Sequence, residues 1–262
     1  MVVAIDVGAT KTLVALFDTE GKVKTEKKFP TNKDYDKFIE ELFSVIKELG
    51  DFSAIAVALP ARIDYEEEIA RSFGNLGWKD VDIKHLLKKE FKVPVILDND
   101  ANLAALGEAN RGAGMGHRTV LYITVSTGIG TGVTYNGKLA PVLARSEGGH
   151  ILLDDKNPWE ELASGKTFLA KYGKLGKDVD DPDIWQEYSK LLARGIHNMM
   201  IVIQPDIVVI GGSMGEHFVK YEGFLTDEVD KIRTMDVDAP IVQAKFPSEA
   251  VIYGCYEVAK DA

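Results

Sequence analysis

Cysteine is almost absent from this 262-residue chain, which contains only Cys255. A single cysteine cannot form an internal disulfide or supply a zinc site made of several thiolates. Long apolar runs are missing too, since no stretch approaches the roughly 20 residues that a membrane-spanning helix needs. The N-terminal residues lack the basic region and the cleavage site of a secretory signal. These absences predict a cytoplasmic protein that does not contact membranes.

Positive charge is also scarce: 31 Lys and Arg stand against 41 Asp and Glu, and the formal net charge is −10. Binding to nucleic acid needs a basic face, because neutralised phosphates provide most of the affinity. The one dense basic run, residues 22–28, alternates with Val23, Thr25 and Glu26, which is typical of the solvated face of a strand. The charge balance therefore disfavours nucleic acid as a partner and favours a small-molecule substrate.

Two segments of the chain repeat the same order of elements, a strand, a glycine-rich turn and a hairpin. The first repeat spans residues 2–29, and the second spans residues 120–140 and ends in Asn136-Gly137, a strong hairpin signal. With 45% hydrophobic residues, the chain is long enough for one large domain or for two lobes that each have a core. We interpret the repeat as a duplication of topology rather than of sequence.

The rest of the chain alternates helices and strands. Apolar periodicity predicts a helix over residues 35–49, closed by Gly50, and further helices from Ala101, from Trp159, over 184–203 and over 251–259. Short apolar runs predict buried strands at 54–59, 93–97 and 207–210. Glycines and polar residues cluster near 111–117. We therefore expect an N-terminal lobe of residues 1–113, joined by the C-terminal helix 250–262, and a C-terminal lobe of residues 114–249.

The two glycine-rich turns each follow a strand, as phosphate-cradling loops do. In the first, residues 6–11, the carboxylate of Asp6 could hold Mg²⁺ through water while Thr10 and Lys11 supply donors. The second is STGIGTG at 126–132. Hairpins also need glycines, so either turn alone has a structural explanation. The pair, at matching positions of two repeats, favours a nucleotide site.

Rival nucleotide motifs do not match. The glycines of the second turn are not spaced as G-x-G-x-x-G and run into a strand rather than a helix, which argues against a dinucleotide fold. Gly165-Lys166-Thr167 looks like the end of a P-loop, but Glu160 stands where its first glycine belongs.

Two polar clusters are candidates for substrate contacts. DNDAN at 98–102 follows an apolar strand, where α/β proteins bind ligands, although one of its residues could instead cap a helix. Glu147 and His150 flank two glycines and could bond to sugar hydroxyls; the alternative is a histidine with a purely structural role. The other histidines are scattered without ligand spacing, which disfavours a transition-metal site.

Taken in order, these motifs resemble the ROK family of sugar kinases, within the actin/hexokinase/Hsp70 ATPase superfamily. The resemblance spans nearly the whole chain and rests on DVGAT at 6–10, NLGW at 75–78, DNDAN at 98–102, STGIGTG at 126–132, Glu147 with His150, Glu160 ahead of ASG at 163–165, and IGGS at 210–213. It implies an α/β, two-lobed, actin-like (ribonuclease H-like) ATPase fold in which each lobe is a mixed sheet flanked by helices.

The resemblance also implies roles for individual residues. Asp100 would be the catalytic base, with ATP and Mg²⁺ held in the cleft between the lobes and Mg²⁺ bound through water by Asp6. The implied sugar-binding residues are Arg62, Asn75, Asn99, Asp100, Glu147, His150 and Glu160. The implied ATP-binding residues are Asp6, Gly8, Ala9, Thr10, Lys11, Thr127, Gly128, Gly130 and, for the adenosine, Gly211 and Gly212.

The chain departs from the family pattern in three places. Family members usually carry three cysteines that bind zinc together with the histidine, but residues 151–159 contain none. We therefore expect no structural zinc, and we expect other contacts to orient His150. Pro60-Ala61-Arg62 replaces a common Pro-Gly, and the stretch before Leu76 lacks a frequent proline. The latter two differences leave the choice of sugar open.

The expected function is ATP-dependent phosphorylation of the 6-hydroxyl of a hexose by a homodimer. The sugar would be of the glucose type or an N-acetylhexosamine such as N-acetylmannosamine. One alternative is a polyphosphate-using glucokinase. Another is a non-catalytic, sugar-sensing ROK-type transcriptional regulator, which would need a helix-turn-helix ahead of the strand at Val2. A non-sugar ATPase of the superfamily is disfavoured by the sugar-binding set.

Overall fold

The computed structural model describes residues 1–73 and 76–262. These residues form two compact units: the first comprises Met1–Gly107 and Val251–Ala262, and the second comprises Glu108–Ala250. Each unit has a hydrophobic core and a five-stranded mixed sheet of its own. Among the described residues, no helix combines the length and the apolar character that crossing a bilayer requires.

The sheet of the first unit has the strand order β3-β2-β1-β4-β8. Its unit contains β1 (Val2–Val7), β2 (Lys11–Phe17), β3 (Val23–Pro30), β4 (Ala54–Leu59), β5 (Ala61–Asp64), β6 (Ile69–Phe73), β7 (Lys79–Val81) and β8 (Val95–Asn99). Strands β1, β4 and β8 are parallel, and β1, β2 and β3 are antiparallel neighbours. β4 is buried along its whole length, as expected of a central parallel strand covered on both faces. Strands β5, β6 and β7 form a separate small sheet.

The sheet of the second unit repeats this order as β11-β10-β9-β12-β13. Its strands are β9 (Thr119–Val125), β10 (Ile129–Tyr135), β11 (Lys138–Leu139), β12 (Ile207–Gly211) and β13 (Ile241–Gln243). As in the first unit, an antiparallel hairpin of the first two strands is extended by parallel strands. The duplicated topology and the mixed sheets predicted from the sequence are therefore confirmed.

Helices complete both units. They are α1 (Tyr35–Lys47), α2 (Ile83–Phe91), α3 (Asp100–Arg111), α4 (Trp159–Ala163), α5 (Gly165–Tyr172), α6 (Pro182–Ile203), α7 (Gly212–Gly215), α8 (Glu222–Lys231) and α9 (Ala250–Ala259). Helix α1 shows why the periodicity is informative: Phe38, Leu42 and Ile46 form one buried stripe, and Asp34 caps its N-terminus by accepting from the N–H of Lys37.

Several boundaries differ from the sequence predictions, two of them for a clear physical reason. The helix from Trp159 is interrupted because Ser164 is extended and caps a second helix through the N–H of Thr167. Helix α1 ends at Lys47 rather than at residue 49, since the N–H of Leu49 bonds to the carbonyl of Ile46 in a tighter turn. The strand predicted to stop at residue 97 continues through Asn99.

Candidate functional site

In the first unit, three parallel strands carry candidate residues to one edge of the sheet. The strand pairing sets Asp6 of β1 opposite Ala58 of β4, and Ala58 opposite Asp98 of β8. Because the carboxyl ends of parallel strands meet at the same edge, the first glycine turn and the start of α3 both leave from there. The first glycine turn, residues 6–11, and the polar segment 98–102 therefore lie at the same edge of this sheet.

Asp98 is held in a buried hydrogen-bond network. Its Oδ1 accepts from the hydroxyl of Tyr65 at 2.8 Å, from Nδ2 of Asn102 at 2.9 Å and from the N–H of Asn99 at 2.7 Å. Burial raises the pKa of Asp98, while these three donors act in the opposite direction. Sequence reasoning missed Tyr65, which belongs to no motif and lies in the turn after β5.

Asn99 is both a helix cap and a link to the small sheet. Its Oδ1 accepts from the N–H of Ala101 at 2.8 Å, and its Nδ2 donates to the carbonyl of Ala61 at 3.2 Å. The helix-cap alternative thus applies to Asn99, whereas Asp98 forms the network and Asp100 is the first residue of α3. The five-residue polar cluster is explained by several roles, as the sequence suggested.

Asp6 lies in an electrostatically unusual environment. Its partly buried carboxyl group has a pKa raised to about 7 by burial and by the negative charge of Asp100, with Lys11 acting in the opposite direction. A carboxyl group perturbed by burial and by a second carboxylate suits a hard divalent cation such as Mg²⁺. Among the described residues, no three His, Cys, Asp or Glu side chains form a metal cage.

The first glycine turn is tight and open to solvent. The N–H of Gly8 donates to the carbonyl of Lys11 at 3.0 Å, and a Cβ at Gly8 would lie 2.9 Å from that same oxygen. The hydroxyl of Thr31 stabilises the turn by donating a 2.8 Å hydrogen bond to the carbonyl of Gly8. Thr10 and Lys11 are exposed and Ala9 is partly exposed. A ligand can therefore reach the turn, as a phosphate loop requires.

Two sugar-binding candidates of the first unit remain. Arg62 is an exposed residue of β5, next to the Ala61 carbonyl that anchors Asn99. Asn75 lies outside the described residues.

In the second unit, the second glycine turn contacts Glu160. The turn links β9 to β10 and is closed by a bond from the N–H of Ser126 to the carbonyl of Gly128 at 2.9 Å. Oε2 of Glu160 accepts from the N–H of Ile129 at 3.4 Å, and a Cβ at Gly128 would lie 2.6 Å from Oε2. Thr127 is exposed, and Gly128 and Gly130 are partly exposed. Glu160, a predicted sugar-binding residue, therefore lies against the second glycine turn, a predicted phosphate-binding loop.

The predicted adenosine motif, residues 210–213, lies at the end of β12, the strand that pairs with β9. Gly211 of β12 pairs with Thr124 of β9, so the chain after β12 leaves from the same edge as the second glycine turn. Gly212 has φ +78°, and a Cβ there would lie 2.6 Å from the carbonyl oxygen of Val125. A Cβ at Gly211 would lie 2.1 Å from the hydroxyl of Tyr122. A side chain at either position would collide with its neighbours, so both positions favour glycine.

Glu147, His150 and Glu160 lie around a one-turn 3-10 helix, Gly148–His150. Nδ1 of His150 is 3.9 Å from Oε1 of Glu160, and the His150 side chain is 65% exposed. His150 is therefore available to a ligand and is not a core histidine. Glu147 is also exposed.

The residues near His150 do not fit a zinc site. The segment that follows has no cysteine, and the one cysteine of the chain, Cys255, is buried in the first unit with its thiol directed to the carbonyl of Ile5 at 3.8 Å. Hydrogen bonds close the segment instead: the N–H of Trp159 donates to the carbonyl of Ile151 at 2.8 Å, and Asp154 accepts from Asn157. The absence of zinc stays a prediction.

Two five-stranded mixed sheets of the same strand order, each with a glycine turn after its first strand, give this chain a mixed α/β, actin-like fold. It belongs to the ROK family, whose model matches residues 2–261. The predicted family and fold are thereby confirmed.

Several known proteins resemble this chain over most of its length. A ROK family glucokinase from Streptomyces griseus, solved with glucose and AMPPNP, superimposes with a TM-score of 0.86 at 21% identity, covering 100% of this chain and 99% of its own. An inorganic polyphosphate/ATP-glucomannokinase from Arthrobacter sp. strain KM is 29% identical, with a TM-score of 0.77 and coverage of 98% and 97%. A glucokinase of Streptomyces coelicolor is 28% identical over 82% of this chain and 83% of its own. Xylose repressors of Bacillus are also similar.

Proposed function

We propose that this protein is a sugar kinase that transfers the γ-phosphoryl group of ATP to the 6-hydroxyl of a hexose, with Asp100 as the base. One observation carries the proposal: Asp6 and Asp100 act on each other electrostatically at the carboxyl edge of the first sheet, in a chain of the ROK family. A sugar kinase needs a general base next to a cation site, and we assign these roles to Asp100 and Asp6 at the carboxyl edge of the first sheet.

Phosphoryl transfer depends on positioning and charge neutralisation more than on covalent chemistry. As the sugar oxygen forms its bond to the γ-phosphorus, the bond from that phosphorus to the bridging oxygen of ADP breaks, and Asp100 accepts the hydroxyl proton. Asn99 fixes the turn that carries Asp100, through its cap and its bond to Ala61. The N–H groups of the two glycine turns are the proposed donors to the phosphate oxygens. Mg²⁺, when bound through water at Asp6, would supply positive charge next to these oxygens.

The family resemblance is the basis for assigning the sugar hydroxyls to seven polar side chains: Arg62, Asn75, Asn99, Asp100, Glu147, His150 and Glu160. Gly211 and Gly212 provide the glycine surface proposed for the adenosine. Glucose-type hexoses and N-acetylhexosamines such as N-acetylmannosamine present similar hydroxyls to this set, so both classes belong to the proposal.

A coupled assay of ADP release tests the proposal directly. Glucose, mannose, fructose, N-acetylglucosamine and N-acetylmannosamine are each offered with ATP and Mg²⁺, and EDTA serves as the metal control. We expect at least one sugar to stimulate ADP release and EDTA to abolish it. Polyphosphate is also offered in place of ATP as an alternative phosphoryl donor, because the Arthrobacter relative is a polyphosphate/ATP-glucomannokinase. A chain that binds sugars but releases no ADP with any of them would support the regulator instead, the class of the similar xylose repressors.

Asp100→Asn tests the role of the base. We expect kcat to fall by about 10²–10⁴-fold, the usual contribution of a general base, while the sugar still raises the melting temperature. Asp36→Asn, on the exposed face of α1, is the matched control and should retain wild-type turnover. If Asp100→Asn keeps kcat within about tenfold of wild type, another group is the base.

A further inference from the structure

The segment between His150 and Glu160 brings two proposed sugar ligands close together. The two ends of the segment are joined by the 2.8 Å bond from the N–H of Trp159 to the carbonyl of Ile151. Leu152 and Pro158, the next residues inward, form a β-bridge. Nδ1 of His150 and Oε1 of Glu160 are 3.9 Å apart as a result. The position of each ligand therefore depends on how this closed segment is anchored to the rest of its unit.

Trp159 provides the anchor. Its side chain has no exposed surface, and its helix α4 packs against α6, β10 and the 3-10 turn before Ile151. The indole lies directly on Gly195 of α6: a Cβ at Gly195 would be 2.0 Å from Cδ2 and 2.1 Å from Cε2 of Trp159. Glycine in the interior of a helix is less favourable than alanine. Here it leaves the space that the ring occupies, and close-packed interiors do not yield that space easily.

Glu160 follows the anchor immediately. Its helix spans only Trp159–Ala163, and a helix this short does not hold itself in water. The depth to which the indole sits on Gly195 therefore sets where Oε2 of Glu160 meets the N–H of Ile129, a contact of 3.4 Å. A small shift of the ring would separate the carboxylate from the second glycine turn.

We propose that Trp159, seated on Gly195, is a positioning residue for sugar recognition that fixes Glu160 against the second glycine turn and keeps His150 beside it without a metal ion. This inference rests on the proposed function. A bound transition metal is not required, because the 151–159 segment is closed by backbone bonds and by the acceptor Asp154. The buried indole holds the segment to the core of its unit.

Gly195→Ala is the first test, with Gly223→Ala as its matched control. Gly223 lies in α8, where a Cβ would meet nothing within 4 Å, so alanine there should leave kinetics unchanged. At Gly195 we expect the KM for the sugar to rise about tenfold or more, since displacements of about 1 Å in a site have effects of that size. The Kd of a fluorescent ATP analogue, measured without sugar, should change much less. A mainly structural defect would move both constants together.

Trp159→Leu supplies the second test. In Gly195→Ala the new methyl group collides with the indole, and leucine at position 159 removes that ring. Gly195→Ala should therefore raise the sugar KM much less in a Trp159→Leu background than in the wild type. Full additivity of the two changes would overturn the proposal, as would a Gly195→Ala enzyme with the wild-type sugar KM.

Metal removal supplies the third test. The sugar Kd of the wild-type protein is measured by calorimetry before and after treatment with 1,10-phenanthroline, without ATP or Mg²⁺. We expect the same Kd in both samples, and a weaker one after treatment would show that a metal holds the segment. Failure of the proposed function is a separate result: the wild-type protein would then release no ADP with any sugar, whatever the variants do.

Discussion

The hydroxyl of Tyr65 donates a 2.8 Å hydrogen bond to Oδ1 of Asp98, an atom that also accepts from Asn102. Tyr65 lies in the turn after β5, and Asp98 lies near the end of β8, two residues before the proposed base. This bond, together with the bond from Asn99 to Ala61, ties the small sheet of the first unit to the turn that carries Asp100. We therefore infer that Tyr65 contributes to positioning Asp100.

Replacing Tyr65 by phenylalanine removes the hydroxyl and keeps the ring. Asp98 retains two donors, so the first unit should still fold. Loss of the bond loosens the turn, and we expect kcat/KM for the sugar to fall by about tenfold, the equivalent of one hydrogen bond to a charged group. Tyr135→Phe, at the exposed end of β10, is the control and should leave kcat/KM unchanged. Steady-state kinetics that are identical for both variants would exclude the positioning role.

Local patterns in the sequence were enough to locate the glycine turns. Gly8 and Gly128 each follow an apolar strand, and glycine between two such strands is a strong local signal for a turn. For residues 98–102 the sequence offered ligand binding, with a helix cap as the alternative for one residue. The structure assigns the cap to Asn99, a distinction that periodicity cannot make because Asp and Asn cap equally well.

The contacts of Tyr65 and Trp159 could not be predicted from the sequence. Each joins segments that are distant along the chain, Tyr65 with Asp98 and Trp159 with Gly195. An isolated tyrosine or tryptophan is most often a core residue, and nothing in the neighbouring letters indicates a partner. Such contacts depend on the pairing of sheets and helices, which local patterns do not specify.

Asp6 predicts a pH dependence of stability. Its pKa is about 7 in the folded protein against 3.8 for the unperturbed group. Between those pH values the folded state holds a proton that the unfolded chain has released. The contribution of Asp6 to the free energy of unfolding is therefore present below about pH 4 and is lost as the pH rises to about 7.

Asp6→Asn should not show this loss. Relative to wild type, the variant is expected to gain on the order of 2 kcal/mol between pH 4.5 and pH 7.5, after allowance for the partial exposure of the carboxyl group. Urea unfolding without Mg²⁺ at several pH values measures the difference. A constant difference between the two proteins across this range would mean that Asp6 titrates normally.

Gly212 predicts a specific effect on nucleotide binding. Alanine at this position faces both an unfavourable φ of +78° and a contact of 2.6 Å with the carbonyl oxygen of Val125. Gly173→Ala is the control, because Gly173 has φ +67° but no atom within 4 Å of an added Cβ. Both variants should lose about 1 kcal/mol of stability from backbone strain. Only Gly212→Ala should also weaken ATP-analogue binding, by about tenfold or more, and equal binding by both variants would argue against an adenosine site here.

Glu108 joins the two ends of the second unit. Its carboxylate has no exposed surface and accepts backbone N–H bonds from Ala113 and Phe246 at 2.7 Å each and from Lys245 at 3.1 Å. These donors come from the residues after α3 and after β13, close to where the chain enters and leaves this unit. One buried side chain thus satisfies three backbone groups that would otherwise lose hydrogen bonds.

Glu108→Gln should therefore destabilise the second unit, because an amide cannot replace both acceptor oxygens. We expect a loss of about 2–3 kcal/mol in the free energy of unfolding, the cost of leaving a buried donor unsatisfied and removing charge-assisted bonds. Glu222→Gln, on the exposed start of α8, is the control and should change stability by less than about 0.5 kcal/mol. Urea unfolding and amide hydrogen exchange at residues 113, 245 and 246 measure the effect. If these three amides exchange as slowly in Glu108→Gln as in wild type, the carboxylate is not what holds the two segments together.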